Sequence, residues 1–202
     1  DAGGDGRVKL AKRLMMRQQW TIADTTSAVW LDGADGATIT LDGSTVSQWS
    51  DKSGNGRHAT AASGSRPGRI SNGLQFNGSS QFMEIAAHAT SVLHTLFVVA
   101  EIESTGSAVI LERGTDYNEA FNTIYFGVAS TTTFAVFVHH ESSYTGGMHG
   151  GKNTALCALC SKYAGGNTNF VYRDGVEQSK TMTETGSGSG TSAAIRTFIG
   201  SR

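Results

Sequence analysis

Short runs of alternating apolar and polar residues follow one another along most of the chain, from about residue 27 onward. Turns rich in glycine, serine and asparagine separate these runs, and this spacing is typical of antiparallel β-strands. The run "TLFVVAEI" (residues 95–102) is apolar on both faces, which predicts a central strand covered on both sides. In "VYRDGV", Asp174-Gly175 predicts a two-residue hairpin turn.

The pattern therefore predicts an all-β fold, a two-sheet antiparallel sandwich or barrel. We expect large apolar side chains from several runs to lie in or near its core: Trp49, Phe76, Phe97, Val99, Phe137 and Val171.

Residues 1–22 differ from the remainder because their apolar positions follow a helical period among basic residues. This predicts a short N-terminal helix or arm, followed by one domain over residues 23–202. The segment could cap the sandwich, or it could dock on another chain. A third interpretation, binding to a membrane surface, is disfavoured because the apolar face is short. The predicted docking residues are Leu10, Leu14, Met15, Arg13 and Arg17.

Composition narrows the classes of function. The chain has 202 residues, 26 glycines and one proline, and its formal net charge is −1. This charge does not favour binding to nucleic acid, and no apolar run is long enough to span a bilayer. Because the sequence begins with Asp1 and shows no signal-peptide pattern, we expect a processed chain or a fragment.

Two short motifs suggest chemistry but have simpler explanations. "GNGRHA" (residues 54–59) is close to a dinucleotide-binding fingerprint, but it lacks the buried strand before it and the helix after it. Asp51 and Ser53, with the glycines that follow, instead predict a tight turn. Cys157 and Cys160 lie three residues apart on a predicted strand, so their side chains should diverge and remain reduced.

Several motifs in order resemble the concanavalin A-like, laminin-G-like jelly rolls of bacteriophage virion proteins and bacterial surface proteins. They are Trp-x-Asp-x-Ser-Gly-Asn-Gly (residues 49–56), Phe-Asn-Gly-Ser (76–79), the strand-Asp-Gly-strand "VYRDGV" and the closing "TFIGSR". The resemblance runs from about residue 27 to the end and implies a jelly roll. In this family a long strand usually follows the "IG" strand. Here the place must be filled by the N-terminal segment or another chain, unless the domain lacks its last strand.

The glycosidases of this family carry a Glu-x-Asp-x-x-Glu triplet on one strand, which this sequence lacks. Glu101 and Glu103 share a face, but no third acid accompanies them. There is no Gly-x-Ser-x-Gly elbow, and the six histidines show no triad spacing. We therefore expect that the chain is not an enzyme.

Two polar, aromatic-containing segments could instead contact a sugar. These candidate glycan-binding residues are Asp116, Tyr117 and Asn118 in one segment, and His140, Tyr144, His149 and Asn153 in the other. No metal or other cofactor is expected; calcium is a weaker alternative, because the acids do not form a dense oxygen cage.

The resemblance and the basic arm favour a virion structural protein, a tail-fibre or head-decoration component, assembled with other virion subunits as a homo- or hetero-oligomer. The alternative is a carbohydrate-binding adhesion module that recognises host glycans, extracellular or on a bacterial surface.

Overall fold

The computed structural model describes residues 26–90, 94–103, 108–114, 124–128, 134–140, 143–149, 157–163, 169–184 and 192–200. Nearly all of them lie in β-strands or turns, apart from one 3-10 turn at Gly36–Thr38. The predicted all-β, antiparallel two-sheet sandwich is confirmed. The predicted N-terminal arm lies outside the described residues.

The strands are β1 (Ile39–Asp42), β2 (Thr45–Trp49), β3 (Ala59–Thr60), β4 (Gly68–Ile70), β5 (Gly73–Gln75), β6 (Met83–Thr90), β7 (His94–Ala100), β8 (Ala108–Gly114), β9 (Ile124–Val128), β10 (Phe134–His140), β11 (Ser143–His149), β12 (Cys157–Tyr163), β13 (Asn169–Arg173), β14 (Val176–Glu177), β15 (Lys180–Glu184) and β16 (Ser192–Ile199).

The larger sheet has the order β15-β11-β10-β9-β8-β16-β6-β3-β2-β4-β5, with β1 paired to β2. Strand β16, which contains the "IG" motif, lies between β8 and β6 and pairs with both. Strand β16 therefore has a hydrogen-bonded neighbour from this chain on each side.

The smaller sheet has the order β14-β13-β12-β7. Its inner face packs against the larger sheet through a buried cluster of Ile102, Phe126 and Val171, on which Leu96 and Val98 also pack. A second cluster lies beneath the other end of the larger sheet. It contains Val46, Ala59, Met83 and Ile85.

Strand β7 differs from the sequence-based prediction. It is the end strand of the smaller sheet in the described part of the chain, and only one of its faces is buried. The side chains of Phe97 and Val99 are 64% and 73% exposed. Their predicted place in the core is wrong. Leu96 and Val98 face the larger sheet, whereas Phe97 and Val99 point to the opposite side of β7, which no described strand covers.

The other core predictions have different outcomes. Val171 is fully buried, as predicted. Trp49 and Phe76 are partly buried and pack against the second cluster. Phe137 lies on β10, where side chains are outside the description.

The predicted hairpin forms between β13 and β14, with positive φ at Asp174 and Gly175. Both cysteines lie on β12, at positions on opposite faces of the strand, and Cys160 is not part of a disulfide bond.

Candidate interaction surface

The Trp-x-Asp-x-Ser-Gly-Asn-Gly turn is organised around one carboxylate. Asp51 Oδ1 accepts hydrogen bonds from the backbone N–H groups of Trp30 (2.8 Å) and Ser53 (2.9 Å). Its Oδ2 accepts from the Ser53 hydroxyl (2.7 Å) and the Arg57 N–H (3.0 Å). Desolvation raises the pKa of Asp51, but these hydrogen bonds outweigh it and hold the pKa below its usual value.

The same turn fastens the start of the described chain. The Asn55 amide donates to the carbonyls of Ser27 and Ala28, and the Arg57 guanidinium also donates to Ala28. The backbone donors of this turn are therefore directed to protein acceptors such as Asp51. This contradicts a phosphate cradle, in which free N–H groups would point at the ligand.

The predicted glycan-binding residues are only partly placed by the structure. Asp116, Tyr117, Asn118 and Asn153 lie outside the described residues. Strands β10 and β11 carry the remaining three and pair directly. The register puts positions 140 and 149 on one face of this pair and position 144 on the other, so the three residues do not form one cluster on a single face.

Among the described residues, no group of three or more His, Cys, Asp or Glu side chains could hold a metal ion. Nor does any helix in this part of the chain have the length and apolarity needed to cross a bilayer.

Two buried charged residues in β8 were not anticipated from sequence. Glu112 is fully buried, and Arg113 is 3% exposed. The Arg113 guanidinium donates to the backbone carbonyl of His88 (2.6 Å). Burial, with a smaller effect of nearby Arg57, lowers the pKa of Arg113 to about 10. Because Glu112 and Arg113 are inaccessible to solvent, they suit a structural role more than ligand binding.

The most exposed apolar surface in the described chain is the outer face of the smaller sheet. The strand register sets Phe97 beside Cys160 and Cys160 beside Tyr172, and it sets Val99 beside Ala158. Hereafter "the outer face" means these residues together with Thr95, Lys162 and Phe170. The rings of Phe170 and Tyr172 are 6.3 Å apart, which extends the apolar surface onto β13.

Three exposed acids border the outer face, and we call them the acidic rim: Glu101 and Asp174 at one end, and Glu177 on the edge strand β14. Glu101 follows Val99 by two positions, and Asp174 accepts from the Ala158 N–H at 2.9 Å. Glu177 pairs with Tyr172 in the hairpin. Desolvation, together with the charge and hydrogen bond of Glu177, raises the pKa of Tyr172.

An apolar centre with a charged border is the composition of a protein interface. The two-sided apolar run of β7 is the sequence signal for this surface. The sequence alone could not identify the surface, because a central strand and an end strand with an apolar outer face have the same pattern of apolar residues.

Comparisons with known proteins find a structural likeness and no sequence relative. No protein-family model matches the chain, and no curated protein matches it significantly. Among solved structures, the chain is similar to a Trypanosoma rangeli sialidase in complex with 2-keto-3-deoxy-D-glycero-D-galacto-2,3-difluoro-nononic acid. The TM-score is 0.51 at 15% identity, over 83% of this chain and 28% of the sialidase chain.

This match corrects one expectation from sequence. The prediction that the chain is not an enzyme is contradicted, because the matched structure is that of a sialidase. Identity of 15% shows similarity of fold alone, and the chain spans less than a third of the sialidase. The match therefore supports an all-β sandwich with a curled antiparallel sheet, and it does not transfer the sialidase's activity to this chain.

Proposed function

We propose that this chain is a structural module of a virion, or of another extracellular surface assembly, and that it docks on neighbouring subunits through the outer face. The observation that carries this proposal is the exposure of Phe97 and Val99 side by side on a regular strand. Adjacent exposed apolar residues on a sheet face mark interaction surfaces more often than scattered ones do.

The expected gain from covering this surface is substantial. Burying a Phe or Val side chain contributes roughly 1.5–3 kcal/mol, before the cost of association is subtracted. Ala158 and the partly exposed Tyr172 extend the surface across neighbouring strands. Such a face can serve as the buried centre of an interface, with the acidic rim at its border.

The proposed location in a virion or on a cell surface, and the resemblance to laminin-G-like jelly rolls, rest on the sequence motifs. The Trp-x-Asp turn and the Asp-Gly hairpin are features shared with laminin-G-like jelly rolls of virions and bacterial surface proteins. Their geometry here supports the resemblance, because Asp51 fastens the turn and Asp174-Gly175 forms the hairpin. A tail-fibre or head-decoration component is the role that we propose.

The test is self-association of the full chain, measured by sedimentation velocity between about 1 and 100 µM, where weak specific interfaces assemble. We expect oligomers, and we expect the Phe97→Ser/Val99→Ser double variant to weaken association at least about tenfold. Leu41→Ser/Ile70→Ser is the matched control, since these side chains are 50% and 47% exposed elsewhere on the molecule. Equal association of both double variants, or a monomeric full chain at every concentration, would refute the proposal.

A second candidate function is carbohydrate binding. The specific observation in its favour is that the matched sialidase structure contains a bound nononic acid derivative. In this chain, positions 140 and 149 lie on one face of the β10–β11 pair, at its opposite ends, and are the described candidate positions that share a face. A glycan array probed with the full chain, beside a His140→Ala/His149→Ala variant, tests this; an empty array would remove the candidate.

A further inference from the structure

We propose that the outer face receives the N-terminal segment of a second copy of this chain, residues Arg7 to Arg17. This inference rests on the proposed function, because it names the partner of the same surface. The occupant is identified by its apolar residues and its charge, which match the outer face and the acidic rim.

The apolar residues of the segment match the face in kind and in size. Leu10 and Leu14 are one helical turn apart, and Met15 lies beside them in the same pattern. A helix of eleven residues would be about 16 Å long. The outer face spans about 23 Å along β7 and about 14 Å across its four strands, from ordinary strand spacings. One such helix fits on this face.

The charges of the segment and of the acidic rim are opposite. Arg13 and Arg17 belong to a set of five basic residues in the segment. Glu101 and Asp174 are exposed at one end of the face, and Glu177 is exposed on the edge strand β14 beside Tyr172. Lys162 occupies a position beside Thr95, toward the other end of the ladder. This distribution favours an orientation in which the basic residues of the segment lie near the acidic rim.

The described chain begins beside a different part of the larger sheet from the part that the smaller sheet covers. The carbonyls of Ser27 and Ala28 are held by Asn55, beside the β2–β3 part of the larger sheet. The smaller sheet packs over β8 and β9. Three strand spacings, about 14 Å, separate the two places across the larger sheet, and one sheet spacing, about 10 Å, separates the two sheets.

Residues 18–25 can span at most about 27 Å when fully extended, so chain length alone does not exclude the face of the same copy. We propose a neighbouring copy because the proposed function requires the outer face to meet another subunit, and the charge exchange described below separates the two arrangements. Because the segment and the face are different surfaces of one chain, this contact is heterologous and generates rings or filaments. Either form suits a module of a repetitive surface assembly.

The first experiment measures association of the full chain by sedimentation velocity with Leu10→Asp/Leu14→Asp. We expect a loss at least as large as that of Phe97→Ser/Val99→Ser, about tenfold or more, while Leu41→Ser/Ile70→Ser associates as the unmodified chain does. Full association of Leu10→Asp/Leu14→Asp would overturn the inference. If Phe97→Ser/Val99→Ser still dissociates in that case, the proposed function stands with a different occupant.

The second experiment is a charge exchange between two full-length variants. Arg13→Glu/Arg17→Glu reverses the charge of these two positions in the segment, and Glu101→Arg/Glu177→Arg reverses the charge of two positions in the acidic rim. We expect each variant alone to associate weakly, because like charges then meet, and an equimolar mixture to recover association in low salt. A mixture as weak as its components would overturn the neighbouring-copy arrangement, since a segment bound within its own chain cannot be rescued by mixing. Circular dichroism of each variant establishes that it is folded.

Discussion

At the scale of single residues, Asp51 determines how the chain enters the sandwich. Its two oxygens accept four hydrogen bonds from Trp30, Ser53 and Arg57, which come from both sides of the turn. An acceptor-only group is required, because every partner is a donor. The turn thereby joins a segment some twenty residues earlier in the chain to the end of β2.

We predict that Asp51→Asn lowers the free energy of unfolding by about 1–3 kcal/mol at neutral pH, the range for hydrogen bonds to charged groups. In either amide orientation, the new NH₂ group faces a donor that previously met an oxygen. Urea denaturation measures the loss. Asp42→Asn is the control, because Asp42 is an exposed acid whose ion pair is with Arg66 alone among the described contacts; an equal loss in the control would contradict the assigned role.

The same carboxylate predicts a dependence of stability on pH. Its pKa is lower in the folded protein than its ordinary value, so its contribution is present above the unfolded-state pKa of about 3.9. The contribution is lost as the pH falls through the folded-state pKa, because protonation removes the charge. The difference in unfolding temperature between the native chain and Asp51→Asn should therefore shrink below about pH 4. A constant difference down to pH 2 would contradict this account.

Gly200 is required where β16 ends against the core. Its φ is +72°, and a Cβ there would lie 2.6 Å from Phe76 Cγ. We predict that Gly200→Ala destabilises by about 2–4 kcal/mol, combining overpacking and left-handed strain. Gly43→Ala is the matched control, since Gly43 has a similar φ of +63° and nothing within 4 Å of the added carbon. It should lose only about 1–2 kcal/mol, and equal losses by thermal denaturation would show that Phe76 yields.

At the scale of elements, turn chemistry predicted structure better than hydrophobicity did. The Asp174-Gly175 hairpin could be predicted because the φ angles of 50° and 81° are those that few residues adopt. The position of β7 at the end of the smaller sheet could not be predicted. The sequence around Phe97 and Val99 is equally apolar whether a second sheet or another subunit covers these side chains. The pairing of β16 with β8 is likewise long-range and leaves no local pattern.

The candidate site was predictable only in part, for the same reason. The apolar residues of β7 were recognised, but the strands that lie beside them depend on register across residues far apart in the chain. The acidic rim combines Glu101 with Glu177 through that register. Of the residues chosen for their aromatic and polar composition, His140, Tyr144 and His149 lie on the paired strands β10 and β11, so which of them share a face depends on register too.

The hairpin also offers a test at this scale. We predict that Gly175→Val destabilises by about 1–3 kcal/mol, because a β-branched residue is strained at φ +81°. Gly64→Val is the control, as Gly64 has no positive φ and open space around it. Hydrogen exchange should increase in β13 and β14 of Gly175→Val and remain unchanged in Gly64→Val; unchanged exchange in both would refute the turn's role.

At the scale of the whole molecule, the two buried clusters of the described residues contain side chains from Val29 onward. The first of these residues, Val29, packs against Val46 and its neighbours. The two clusters join both sheets to each other and to the start of the described chain. Among the described residues, Phe97 and Val99 form an exposed apolar pair on the outer face.

We therefore predict that removing residues 1–22 leaves the sandwich folded and abolishes association. The thermal unfolding transition should remain cooperative and shift by no more than a few degrees, the shift that about 1 kcal/mol produces in a domain of this size. Sedimentation velocity should show a monomer at concentrations where the full chain is oligomeric. If the shortened chain unfolds while the full chain is a stable monomer, the segment is instead an intramolecular cap of its own sandwich, because its apolar residues then contribute to the stability of a single copy.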